Sequence, residues 1–100
     1  PGQDVEAGTP LFRLDTRAVE AQLAAARAAL RVAEVEARDA RARAELYGTV
    51  TDARAVSADE KDRVRFAAER AQATVALRAA EVRQLETDLA RLTVRSPLAG

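Results

Sequence analysis

The chain has 100 residues, and 25 of its 48 apolar residues are alanine, which leaves too few bulky groups for the core of an ordinary globular enzyme. It has no Cys and no His, which excludes thiol chemistry, disulfides, zinc fingers and imidazole acid–base work. Sixteen basic and sixteen acidic residues cancel, so the electrostatic footprint of a nucleic-acid binder is missing.

Residues 1–15 read PGQDVEAGTPLFRLD. Pro and Gly punctuate a short apolar pattern of Val5, Leu11, Phe12 and Leu14. A turn at Ala7–Pro10 followed by a short strand is expected there.

A first helix is expected over 16–47, with Asp15 or Thr16 as its cap. Its apolar positions are Val19, Leu23, Ala26, Leu30, Ala33, Ala37, Ala40, Ala44 and Tyr47. The steps alternate four and three without a break, which is the heptad seam of a coiled coil. Gly48 follows, where a left-handed closing residue is expected.

Residues 48–56 read as a connecting loop. Ser57 and Glu60 have the spacing of a capping box, so a second helix is expected over 57–92. Its seam is Val64, Ala68, Ala71, Val75, Arg78, Val82, Leu85, Leu89 and Leu92, apolar at every position but Arg78. Two such helices joined by a short loop fold back antiparallel. A loop centred near Asp52 would put Leu23 beside Val82, Leu30 beside Val75 and Ala37 beside Ala68. Arg78 would then face Ala26, a small partner past which an Arg can snorkel. Each arm would be roughly 45–55 Å long at the helical rise. Glu34/Arg38, Asp39/Arg43 and Asp59/Arg63 have favourable one-turn spacing and read as solvated ion pairs.

Thr93–Arg95 reads as a further short strand, and Pro97 pushes Ser96 extended. The fold class expected is mainly α: a long antiparallel two-helix coiled-coil hairpin with short β segments at 1–15 and 93–100. The chain starts at Pro1 and stops at Gly100 in a strand-like pattern, so a segment of a longer protein is expected.

No nucleophile–base pair is available, and the single lysine, Lys61, stands apart from any partner in sequence. Asp59, Glu60 and Asp62 sit where acids answer a helix dipole, which accounts for them without a metal. No phosphate-cradling glycine motif is present. A non-enzymatic chain with no cofactor, no metal, no bound small molecule and no nucleic-acid partner is expected. The longest uncharged run, Ala71–Leu77, is seven residues, whereas a membrane span needs about 20.

The ends carry a resemblance. Gly2-Gln3-Asp4-Val5-Glu6-Ala7-Gly8-Thr9-Pro10-Leu11-Phe12-Arg13-Leu14-Asp15 resembles the first half of a split lipoyl-like domain. Thr93-Val94-Arg95-Ser96-Pro97-Leu98-Ala99-Gly100 resembles the start of the second half. With a long hairpin between them, the whole chain resembles periplasmic adaptor subunits, or membrane fusion proteins, of the HlyD-like secretion and efflux family. No lipoyl group is implied, because Lys61 lies at the start of helix two and not at the tip of a β-hairpin.

The resemblance implies a periplasmic location, anchored at the inner membrane through segments outside this chain. It implies an inner-membrane transporter, of ABC or RND type, at one end and an outer-membrane channel at the other. It also implies several copies side by side, often six. Many members carry at the tip an Arg, a Leu four later and a Ser seven after that. Here Leu46 and Ser57 correspond, Arg43 lies three before Leu46, and the loop is four residues longer than that pattern. The channel-docking candidates are therefore Arg43, Leu46, Tyr47, Val50, Arg54, Val56 and Ser57.

Helix one has a second apolar stripe, Ala21, Ala25, Ala28, Val32, Val35 and Ala42, interrupted by Asp39 and about 200° from the seam at 100° per residue. Phe66, Ala73, Leu77 and Ala80 form its counterpart on helix two. Val32, Val35, Phe66 and Leu77 are the candidates for lateral contact between copies. The competing expectation is a generic antiparallel coiled coil, a spacer or dimerisation element of an unrelated protein.

Overall fold

In the computed structural model two helices form a hairpin: α1 is Gly2–Gly48 and α2 is Ala58–Ala99. The residues described with their side chains are 16–52 and 54–93. No strand occurs among them. The short strands expected at 1–15 and 93–100 fall outside the described residues, except for Thr93. Thr93 is helical, and its hydroxyl donates to the Leu89 carbonyl at 2.8 Å. Asp15 is likewise outside, and Thr16, the first described position, already lies within α1.

All nine expected seam positions of α1, from Val19 to Tyr47, are buried or half-buried. The same holds for all nine on α2, from Val64 to Leu92, Arg78 included. The heptad pattern thus reports which face each helix buries, because its apolar side chains can leave water only against the partner helix.

The chain divides into two compact units: residues up to Ala28 with those from Ala80, and Ala29–Ala79. In the first, Leu23 and Val82 are buried, and Arg27 pairs with Glu86 across the helices at 3.2 Å. In the second, the buried residues are Ala33 and Ala37. A buried methyl contributes only about 0.8 kcal/mol, so the alanine seam allows close approach and stabilises weakly.

The register differs from the expected one. Ala37 and Val75 line one groove, and Ala33 and Arg78 line another. Val75 thus shares a groove with Ala37, where Leu30 is the expected neighbour, and Arg78 one with Ala33, where Ala26 is expected. Both differences are seven residues, one heptad. The Lys61 ammonium, which donates to the Val50 carbonyl, obeys the same register. The reason for Arg78 survives the shift, since Ala33 is as small as Ala26. Arg78 is half-buried in the groove lined by Ala29, Val32, Ala33, Glu36 and Thr74.

Gly48 also differs. It is the last residue of α1 and has no positive φ. The helix ends instead on tightened bonds: the Thr49 amide donates to Glu45 and Leu46 carbonyls, and the Val50 amide to Tyr47. The Thr49 hydroxyl also donates to the Leu46 carbonyl at 2.7 Å. These satisfy carbonyls that a left-handed glycine would otherwise cover.

On the surface, Asp39 pairs with Arg43 at 3.6 Å and Asp59 with Arg63 at 3.0 Å, as their spacing predicts. An additional pair, Asp62 with Arg65 at 3.1 Å, uses the three-residue spacing. Glu34 and Arg38, the third expected pair, is not among the ion pairs of the described residues.

Candidate functional site

The segment between the helices is ordered by its own hydrogen bonds. Asp52 is the centre. Its side chain accepts from the Arg54 amide at 2.9 Å, and its carbonyl accepts from Ala55 and Val56 at 3.0 and 3.2 Å. An Asp that bonds the backbone two residues on replaces the turn bonds the chain would otherwise lack. Ser57 then caps α2: its hydroxyl accepts from the Glu60 amide at 3.1 Å, and its carbonyl accepts the first helical bond from Lys61 at 3.0 Å. The half-buried Lys61 reaches back to Val50, so the loop is tied to the first turn of α2.

Of the seven tip residues, Arg43, Leu46 and Arg54 are exposed, and Tyr47, Val50, Val56 and Ser57 are half-buried. Leu46 is 65% exposed, the most exposed of the large apolar side chains described. Arg43 is engaged with Asp39 on its own helix. Tyr47 and Val50 thus close the end of the seam, while Leu46 and Arg54 project into solvent.

The four lateral residues are all exposed: Val32 and Val35 at 58%, Leu77 at 56% and Phe66 at 46%. Leu46 completes the stripe of Val32, Val35 and Ala42, because it follows Ala42 by one turn. Every large exposed apolar residue among those described therefore lies within Ala29–Ala79. Arg65 stacks over the Phe66 ring, 5.2 Å from its centroid, and shields part of it.

Two grooves run between the helices in the same unit. One is lined by Glu34, Ala37, Arg38, Arg41, Gln72 and Val75, the other by the residues around Arg78. Among the described residues no cluster of acidic side chains could hold a metal, and no helix is long and apolar enough to cross a membrane. Every buried side-chain nitrogen or oxygen described has a hydrogen-bond partner.

The roles of Asp52 and Lys61 were not among the sequence expectations. Asp52 carried a usable signal, since an Asp two residues before Arg54 in a loop is a turn former. Lys61 carried none, because its bond joins positions whose proximity depends on the register. Comparison with protein-family models, with curated proteins and with solved structures yields no match to this chain.

Proposed function

We propose that this chain is the hairpin segment of a periplasmic adaptor of the HlyD-like kind, a non-enzymatic bridge between an inner-membrane transporter and an outer-membrane channel. The hairpin supplies reach and its tip supplies the contact. The observation that carries the reading is a two-helix hairpin whose tip presents exposed Leu46, at the end of α1, and Arg54, in the hydrogen-bonded loop. The sequences of the end segments 1–15 and 93–100 support it through their likeness to lipoyl-like half-motifs. The exposed stripes of Val32 and Val35, and of Phe66 and Leu77, support side-by-side association, because apolar surface of this kind is stabilised by a partner.

The test is site-specific crosslinking in cells of the full-length protein, with probes at Val50, Arg54 and Ser57 and a mid-helix control at Arg31. The expected product joins the tip sites, and not Arg31, to an outer-membrane channel. Crosslinks only between copies of the chain, or to no envelope protein, would replace this reading with a self-associating coiled-coil spacer.

A further inference from the structure

A heptad seam does not specify its own register. The apolar positions of α1 and α2 both recur by alternating steps of four and three. Sliding one helix by seven residues, about 10 Å at the helical rise, lays seam on seam again. The displaced register would set Leu23 beside Val82 and Leu30 beside Val75, pairings no less apolar than those observed. Burial along the arms therefore separates the two registers poorly.

Outside the seam the registers differ at two places: the Arg27–Glu86 pair, which is solvent-exposed and so of little weight, and the partly buried contact at the loop. In the observed register Lys61 is level with Val50, and its ammonium donates to the Val50 carbonyl in a partly buried position. The same register brings Tyr47 level with Val64, and both are half-buried. In the displaced register Lys61 would be level with Ala44. Carbonyls there belong to the helical ladder, so the ammonium would find no loop acceptor. The Val50 carbonyl would lose its charged donor at the same time.

Two further contacts make this bond selective. The Asp52 turn holds the loop through Arg54, Ala55 and Val56, which limits where the Val50 carbonyl can go. The Ser57 cap sets where α2 begins, and Lys61 follows one turn later. We infer that Lys61, braced by the Asp52 turn and the Ser57 cap, is the register clamp of the hairpin: it selects one of two heptad registers that the seam alone leaves nearly equal. It thereby positions the tip residues relative to the end of α1, whatever those residues meet. A compact ammonium on a flexible stem suits this task, since its three donors rotate to reach a single carbonyl.

These 100 residues contain no cysteine, so cysteine pairs introduced into them report register without background from the hairpin itself. Ala37→Cys with Val75→Cys reports the observed register, and Leu30→Cys with Val75→Cys the displaced one. A short thiol crosslinker is applied to each pair, with helicity followed by circular dichroism. With Lys61 present, the first pair captures nearly all the product. In Lys61→Ala the second pair should gain about tenfold or more, the factor carried by a hydrogen bond to a charged group. Lys61→Met keeps the apolar stem, removes the donor and should behave the same, which covers a loss of folding in the alanine variant. Lys61→Arg keeps a charged donor and should hold the original pattern. An unchanged crosslinking pattern in helical Lys61→Ala or Lys61→Met would overturn the clamp.

Discussion

At Gly48 the helix ends without a left-handed residue, and a Cβ built there meets nothing within 4 Å. Glycine at a helical position costs conformational entropy that alanine does not. Gly48→Ala should therefore stabilise the hairpin by about 0.5 kcal/mol in urea denaturation. A left-handed glycine would give the opposite sign, so the experiment separates the two endings. Ser57 has a different role, because its hydroxyl covers the Glu60 amide. Ser57→Ala should cost about 1 kcal/mol, with faster hydrogen exchange at Glu60. The cap was legible because its spacing is local. The ending at Gly48 was not, because Thr49 offers its hydroxyl and amide to the same carbonyls.

At the scale of the element, each helix divides into a buried seam and an exposed back. Leu23 is 4% exposed and Leu46 is 65% exposed, although both are leucines of α1. Leu23→Ala should cost about 2–4 kcal/mol, because it leaves a space that neighbouring alanines cannot fill. Leu46→Ala should change stability by less than about 0.5 kcal/mol. Matching losses at the two sites would mean that α1 buries a different face. This division was legible in full from the periodicity, down to the half-burial of Arg78. A helix turns 100° per residue whatever surrounds it, so spacing alone assigns the face.

At the scale of the whole molecule, stability and association are set against each other. Only Leu23, Ala33, Ala37 and Val82 are buried among the described residues, and two of these are alanine. Thermal unfolding should fall within or below the range of about 45–65 °C usual for mesophile domains, and circular dichroism will read it. The exposed backs should make the chain associate with rising concentration. Val32→Glu with Leu77→Glu should keep the helicity and weaken that association about tenfold or more, since a charge would be buried at each contact. Sedimentation of the two forms checks it, and equal association would place the contact elsewhere.

The helices, their buried faces, the Ser57 cap and the exposed apolar backs follow from the order of residues, because each depends on spacing within one helix or one turn. The pairing of the two helices does not. A repeat of seven looks the same after a shift of seven, so only contacts made outside the repeat can choose between registers. Those contacts are the Lys61 bond to Val50 and the exposed Arg27–Glu86 pair, and both exist only once the chain has folded back on itself, whereas the turn around Asp52 is local.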